Sequence, residues 1–381
     1  MMTVSKRLNC FPEYVFSLLA KEAKKREQMS GKKILDLSVG SPDFPPSVHY
    51  MQKLKEYIDA PGSHLYPGYG ATAEFADGLI HWYKERFGVS LVPEELFPLL
   101  GAKDGVSHMA MALSDEGDEI LVPDPGYPAF SGPALMMGAS VITYELSEEN
   151  NFRLSIDAIE KRITEKTRMI WVNFPGNPTG QVASKEDLVG LVALCKRKQI
   201  WLIYDNAYAE MTYNGYIAPS ILEIPQAKDI AVEIGSFSKM YSFAGFRMGW
   251  IVGNRQVIAA LAKVKSQLDS GLSLPFQRLS AYVFKNPDIE WHESMIQSYA
   301  NRKNLLLVTF RKMGLAIEDP QGGLYLWARI PDNAKDSYEY AMDLLKKKNI
   351  LVTPGSAFGK KGDRYVRISF SGDITRLADY V

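Results

Sequence analysis

The chain has 381 residues, 46% of them hydrophobic and 23% charged, and 44 Lys and Arg residues balance 44 Asp and Glu residues. This length allows a large core and more than one domain, and the lack of net charge argues against nucleic acid or a membrane surface as a partner. Two cysteines cannot form a disulfide framework, and no apolar run reaches the ~18 residues of a membrane span. We therefore expect a cytoplasmic protein.

The N-terminal part predicts an amphipathic helix over 13–29 and a short strand over 34–38. The strand runs into a segment stiffened by prolines, in which Gly40 could bring its backbone close to a ligand. A simple turn is the alternative role for that glycine. A turn rich in tyrosine and glycine, 66–70, then precedes a predicted helix over 72–87.

From residue 99 the pattern becomes one of apolar strands alternating with helices. The turn Gly101-Ala102-Lys103-Asp104-Gly105 opens the first of these helices, and free backbone N–H groups at such a turn suit a phosphate. The alternation predicts a mostly parallel sheet that helices cover on both faces. Ligands in such sheets lie beyond the carboxyl ends of the strands. Four polar residues follow predicted strand ends and are expected to share one crevice: Tyr127, Asn177, Asp205 and Lys239.

Lys239 follows an apolar strand and stands between two hydroxyl side chains, Ser236 and Ser238, with Arg247 eight residues later. A lysine among apolar neighbours is a candidate for a lowered pKa and Schiff-base chemistry. The arginine and the two hydroxyls could hold a phosphate. Together they suggest a site for a cofactor with an aldehyde and a phosphate, although a surface Lys and Arg around a turn is the alternative.

After Pro275 the rhythm changes to a long charged helix followed by alternating strands and a further helix. We expect a large cofactor-binding domain over 46–274 and a smaller α+β domain formed by 1–45 and 275–381. Arg367 lies in an alternating strand of that smaller domain, where a solvent-facing arginine is the alternative to a functional one.

The order and spacing of N-P-T-G at Asn177, D-x-A-Y at Asp205, S-x-S-K at Ser236 and R-x-S at Arg367 are similar to those of the class I and II aminotransferases. These are pyridoxal-phosphate enzymes of fold type I, and the resemblance extends from Gly40 to Arg367. It implies an α/β fold, pyridoxal 5′-phosphate as cofactor, no metal, and a homodimer with shared active sites.

The resemblance also implies a role for each matching residue. Lys239 would carry the cofactor and then move the substrate Cα proton, with Asp205 at the ring nitrogen. Asn177 and Tyr208 would bind the ring's phenolic oxygen, and Tyr127 would stack on the ring. The phosphate would be held by the backbone of Ala102 and Lys103, by Ser236, Ser238 and Arg247, and by Tyr66 of a neighbouring subunit. Arg367 and the Gly40 backbone would bind the substrate α-carboxylate.

The implied reaction moves an amino group between an L-amino acid and a 2-oxo acid by a ping-pong mechanism. Aspartate-specific members use an arginine in the region that here reads 267–271, which contains none. The chain looks more like the branch of alanine and LL-diaminopimelate aminotransferases, in which Lys103 or Tyr14 could contact a long side chain. Alanine, glutamate or a diamino acid is therefore expected to be a better donor than aspartate.

Two other functions share these motifs. A C–S β-lyase of the same fold would use the same cofactor contacts, and a non-catalytic regulatory relative would keep the fold alone. Such regulators usually carry an N-terminal DNA-binding domain, whereas this chain enters its enzyme-like part within about 40 residues. The amino-acid pair itself cannot be read from the motifs.

Overall fold

The structure is a computed structural model that describes residues 2–11 and 15–381. Its α-helices are α1 (Val15–Ser30), α2 (Val48–Asp59), α3 (Ala73–Phe87), α4 (Ala102–Leu113), α5 (Ser131–Met136), α6 (Ile156–Glu160), α7 (Lys185–Lys198), α8 (Phe237–Met240), α9 (Arg255–Lys265), α10 (Leu274–Lys285), α11 (Ile289–Lys312) and α12 (Ser337–Lys348). No helix in these ranges is both long and apolar enough to cross a bilayer.

The strands form three sheets. They are β1 (Leu35–Asp36), β2 (Leu96–Leu99), β3 (Glu119–Asp124), β4 (Ser140–Glu145), β5 (Thr167–Asn173), β6 (Trp201–Asp205), β7 (Ala231–Ser236), β8 (Gly249–Gly253), β9 (Ala316–Ile317), β10 (Tyr325–Arg329), β11 (Ile350–Leu351), β12 (Thr353–Pro354) and β13 (Tyr365–Ser369). The largest sheet has seven strands in the order β2-β8-β7-β6-β5-β3-β4, and β8 runs against its neighbours. The predicted α/β class with a mostly parallel central sheet is confirmed.

The central sheet is buried on both faces. Along β5, Ile170 and Val172 join one hydrophobic cluster, whereas Met169 and Trp171 join another. A strand covered on both sides needs apolar residues at every position, because alternate side chains point to opposite faces. This explains why β5 is almost continuously apolar.

A smaller antiparallel sheet, in the order β12-β13-β10-β9, lies beside the carboxyl ends of the central strands. A separate pair joins β1 to β11 in parallel, so the N-terminal segment packs with the C-terminal part of the chain. The division into domains over 46–274 and over 1–45 with 275–381 stays a prediction. Helix α10 begins at Leu274, which lies at the proposed domain boundary, and it packs on α2 and α3.

Several element ends differ from the sequence-based prediction. The sequence pattern predicts one helix over 255–270 and another over 156–163, whereas in the structure these helices end at Lys265 and at Glu160. Lys239 lies in the short helix α8 and not at the end of a strand. The hydroxyl of Ser236 accepts a hydrogen bond from the Ser238 N–H at 3.1 Å, and this cap starts the helical turn directly after β7.

Candidate active site

A cleft of about 370 Å³ lies where the carboxyl ends of β5, β6 and β7 meet the start of α4 and the smaller sheet. This volume falls within the roughly 300–1,000 Å³ of small-molecule sites. Most of the residues singled out in the sequence line it, although they come from widely separated parts of the chain. They are Gly40, Ala102, Lys103, Tyr127, Asn177, Asp205, Tyr208, Ser236, Ser238, Lys239, Arg247 and Arg367.

Among the described residues, the predicted site residue Tyr66 does not line the cleft. Tyr66 is 87% exposed and lies on the surface of this chain. That exposure is compatible with a contact to a neighbouring subunit, which stays a prediction. Tyr14 falls outside the described residues.

The Lys239 ammonium donates a hydrogen bond to the carbonyl oxygen of Gly40. Burial lowers the pKa of Lys239, and the guanidinium groups of Arg367 and Arg247 lower it further against the opposing effect of Tyr325. A lysine with a lowered pKa reaches its neutral, nucleophilic form more readily. The cleft therefore contains an amine suited to attack a carbonyl carbon.

Asp205 ends β6 and is 6% exposed. Its carboxylate accepts a hydrogen bond from the Ala207 N–H at 3.2 Å, and no cation pairs with it in the described part of the chain. Burial raises the pKa of Asp205 to about 7. A buried carboxylate of this kind is stabilised in its ionised form when a ligand brings a positive charge.

One end of the cleft has the features of a phosphate site. Helix α4 begins after Gly101, whose φ of 84° suits glycine and leaves no side chain over the helix start. The guanidinium of Arg247 lies across this turn, donating to the Ala244 carbonyl at 2.8 Å and to Ser238 Oγ at 3.4 Å. A Cβ built on Gly101 would lie 2.5 Å from Arg247 Nη2, so glycine is required for this approach.

The opposite wall is formed by the smaller sheet. Arg367 is 2% exposed, and its guanidinium donates to Asn177 Oδ1 at 2.8 Å and to the Ser38 carbonyl at 2.6 Å. The guanidinium carbon lies 4.1 Å from the ring centroid of Tyr325 and 4.7 Å from that of Phe358. These contacts hold the guanidinium in one orientation within the cleft. The solvent-facing alternative for Arg367 is wrong.

Tyr325 is a residue of the cleft that sequence analysis did not single out. Its hydroxyl lies 3.1 Å from the Tyr208 hydroxyl, and a Cβ on Gly40 would overlap it. Burial opposes its ionisation, but the charges of Arg367 and Lys239 lower the pKa of Tyr325 below its usual value. The alternation of side chains along β10 predicts that Tyr325 and Trp327 lie on one face of the strand. It does not predict which face meets the cleft.

Phe16 of α1 also lines the cleft, with its ring 5.2 Å from the Arg367 guanidinium carbon.

These residues fit pyridoxal 5′-phosphate. The cofactor has an aldehyde for the Lys239 amine, a phosphate for the helix start beside Arg247, and a ring nitrogen that can bring a proton to Asp205. Asp205 sets the strictest requirement on the ligand, because ionising a buried carboxylate that has no cation beside it costs free energy. A protonated ring nitrogen supplies the missing charge.

Comparison with known proteins agrees with this geometry. The family described as "Aminotransferase class I and II" matches residues 32–381. LL-diaminopimelate aminotransferase 2 of Trichormus variabilis is 37% identical over 384 residues, covering 100% of this chain and 97% of that protein. LL-diaminopimelate aminotransferase of Aquifex aeolicus is 36% identical over 381 residues, again covering 100% and 97%.

Solved structures show the same fold. Substrate-bound BacF from Bacillus subtilis superimposes with a TM-score of 0.92 at 30% identity, covering 100% of this chain and 96% of that one. An aspartate aminotransferase from Thermotoga maritima gives a TM-score of 0.90 at 29% identity, covering 99% and 97%. Of the activities that the sequence leaves open, the family and its named members support amino transfer.

Proposed function

The chain belongs to the class I and II aminotransferases, and from this premise we propose that it moves the amino group of a diamino acid of the LL-diaminopimelate type, or of alanine or glutamate, to a 2-oxo acid. The enzyme is a transaminase that depends on pyridoxal 5′-phosphate. In the proposed ping-pong order, the first 2-oxo acid leaves before the second one binds. The full-length identity with LL-diaminopimelate aminotransferases supports the diamino acid among these donors.

Pyridoxal phosphate, when bound, supplies a carbonyl that takes up the amino group and a ring that accepts electrons. We assign Asp205 to the ring nitrogen, Asn177 and Tyr208 to the phenolic oxygen, and Tyr127 to the ring face. Asn177 turns its Oδ1 to Arg367, which leaves its Nδ2 as the donor for that oxygen. The phosphate assignment consists of Ala102, Lys103, Ser236, Ser238 and Arg247, with Tyr66 from a second subunit.

Lys239 is assigned the proton transfer at the substrate Cα. Its lowered pKa favours the neutral amine that can take a proton from carbon. Burial, and to a lesser extent the neighbouring cations Arg367 and Arg247, keep the pKa of that amine low, so the ammonium formed can give the proton back. The same side chain therefore serves as base and then as acid.

The position of Arg367 is the observation that best supports amino acids as the class of substrate. A buried guanidinium, held between Tyr325 and Phe358, faces the same cleft as Lys239 and Asp205. A planar fork of N–H donors matches a carboxylate in two hydrogen bonds. The α-carboxylate of any amino acid can meet it, with the Gly40 backbone beside it.

The distal end of the substrate meets a different set of groups. Residues 267–271 contain no arginine, whereas the exposed Lys103 lines the cleft. A lysine on a flexible stem offers a point charge to a distant carboxylate or polar group. This arrangement favours a long donor over aspartate, and Tyr14 remains a second predicted contact.

A donor screen tests the proposal. The purified enzyme with bound cofactor is mixed with one amino acid at a time, without an acceptor, and the 2-oxo acid released in a single half-reaction is measured. LL-diaminopimelate, glutamate and alanine are expected to react faster than aspartate. If aspartate is the best donor by a wide margin, the substrate proposal is wrong and another residue must supply a cation.

Replacing Arg367 by lysine is expected to raise KM for every donor by about 10- to 100-fold, with a smaller effect on kcat. A point charge cannot form the two parallel hydrogen bonds, and a hydrogen bond to a charged group contributes about 1.5–3 kcal/mol. Steady-state kinetics with two donors of different length measure this. Arg329→Lys serves as the matched control, because Arg329 is a half-buried arginine on the same sheet face that pairs with Glu148 and Asp332. A rise for one donor alone would contradict a common carboxylate site.

We also propose that the enzyme is a cytoplasmic homodimer. Tyr66 and Tyr69 are 87% and 65% exposed on one loop of the isolated chain. Exposed aromatic side chains of this kind are enriched at protein interfaces. Light scattering of the purified protein, together with the cofactor affinity of Tyr66→Phe, tests the dimer and the shared contact.

A further inference from the structure

A buried group of charges lies behind the start of helix α4. Lys265, at the end of α9, is 2% exposed, and its ammonium lies 2.6 Å from Asp104 Oδ2 and 2.7 Å from Asp269 Oδ2. His108 Nδ1 is 2.8 Å from the other oxygen of Asp104. We refer to Asp104, His108, Lys265 and Asp269 as the buried charge cluster.

The cluster is tied to the backbone on two sides. Asp104 Oδ2 accepts a hydrogen bond from the Leu100 N–H at 2.9 Å, directly before the Gly101 turn. The Leu100 carbonyl in turn lies 3.4 Å from Arg247 Nη2. Asp269 Oδ1 accepts from the Gly271 N–H at 2.8 Å, and a Cβ on Gly271 would lie 2.8 Å from the Gly68 carbonyl. Lys265 therefore joins the turn before α4 to the loop that carries Tyr66 and Tyr69.

The side chains of Asp104, His108 and Asp269 lie close enough together to hold a metal ion. The Lys265 ammonium already contacts both carboxylates, so the protein supplies its own cation there. Burial opposes ionisation of Asp104, but His108 and Lys265 lower the pKa of its carboxyl below its usual value. A metal site is not needed to explain the cluster.

We propose that Lys265 is a positioning residue for the cofactor phosphate, which it never touches. Asp104 lies in the first turn of α4, where the proposed phosphate would bind, and a bare carboxylate there repels a phosphate. Lys265, which also contacts Asp269, offsets the charge of the Asp104 carboxylate and leaves it free to hold the Leu100 N–H. This keeps the turn in shape and weakens the negative field at the helix start. The inference rests on the proposed phosphate assignment.

The test compares two ligands of the cofactor-free enzyme, pyridoxal 5′-phosphate and pyridoxal, which lacks the phosphate. Their dissociation constants are measured by absorbance titration. Lys265→Met is expected to weaken binding of pyridoxal phosphate by at least tenfold and binding of pyridoxal by less than twofold. Lys265→Arg, which keeps the charge, should restore most of the affinity. Lys263→Met, on the exposed face of the same helix, should match the wild-type enzyme.

A double variant separates repulsion from loss of structure. In Lys265→Met with Asp104→Asn the uncompensated carboxylate in the first turn of α4 is removed, so that Asp269 is the one carboxylate left in the buried charge cluster, and Asn can still accept the Leu100 N–H. The double variant is expected to bind pyridoxal phosphate more tightly than Lys265→Met, and by more than Asp104→Asn alone improves binding in the wild-type background, which makes the result non-additive. If Lys265→Met does not fold, Lys265→Gln takes its place in the same comparison.

Equal weakening of both ligands, or no weakening of either, would overturn the role of Lys265. A different result would bear on the phosphate assignment itself: a wild-type enzyme that binds pyridoxal as tightly as pyridoxal phosphate has no phosphate site. The two failures are therefore distinguishable, and neither depends on a measurement of turnover.

Discussion

Lys239→Ala is expected to lower the rate of amino transfer by at least about 10³-fold, while the protein still binds its cofactor. General acid–base catalysis contributes typically 10²–10⁴-fold, and this variant also loses the covalent partner of the cofactor aldehyde. The groups assigned to the phosphate and the ring, among them Arg247 and Asp205, remain in place. Stopped-flow absorbance of the half-reaction measures the loss, and equilibrium dialysis measures the retained cofactor.

Chemical labelling adds an independent check on the lysine. Borohydride reduction of the wild-type enzyme, followed by peptide mapping, should find the cofactor attached to Lys239. Lys263→Ala, which removes an exposed lysine, is the control and should keep the full rate. A label on any other lysine would refute the assignment.

Asp205→Asn is expected to keep the cofactor but to lower kcat by about 10²- to 10⁴-fold. The neutral amide cannot hold a proton on the ring nitrogen, and breaking a buried charge pair costs about 3–5 kcal/mol. Each 1.36 kcal/mol corresponds to a tenfold change in rate. Single-turnover kinetics at saturating donor measure the effect, and Asp205→Glu is the charged control. Near-native turnover of Asp205→Asn would show that Asp205 does not sustain the electron-accepting ring.

Asp205→Asn lowers the rate of the enzyme but is expected to stabilise the cofactor-free protein at high pH. The raised pKa of about 7 means that folded Asp205 holds its proton above pH 4, whereas the unfolded chain releases it. The free energy of unfolding therefore falls as pH rises from about 4 to 7, by roughly 4 kcal/mol at most. Urea denaturation at pH 5 and pH 8 should show the part of this fall that lies above pH 5, roughly 3 kcal/mol, in the wild-type protein but not in Asp205→Asn. The variant should be the more stable of the two at pH 8.

The sequence predicts the part of the site that follows strand ends. Asp205 is the last residue of a buried strand and Asn177 comes shortly after another, and parallel strands bring their carboxyl ends to one edge of the sheet. Motif spacing then identifies Lys239 and Arg247. The class of fold follows from the same alternation, since only a sheet covered on both faces needs such continuous apolar strands.

The rest depends on contacts between distant parts of the chain. Lys265 and Asp104 are 161 residues apart, and each reads in sequence as an ordinary charged residue on a helix. Tyr325 sits in a short strand whose side facing the cleft is set by its pairing with β13. Neither periodicity nor propensity encodes which of two faces meets another element.

The pairing of β1 with β11 affects the order in which parts of a newly synthesised chain can fold. Ser38, whose carbonyl accepts from Arg367, is synthesised 329 residues before that arginine, which corresponds to roughly 15 to 65 s of translation. During this time the strands of the central sheet can emerge and pair, but the N-terminal segment has no partner for its apolar side chains. The contact between Ser38 and Arg367, and with it the proposed carboxylate site, is therefore among the last features to form. A slow step late in synthesis would prolong the exposure of the first 40 residues, and chaperones that bind apolar segments would meet this region first.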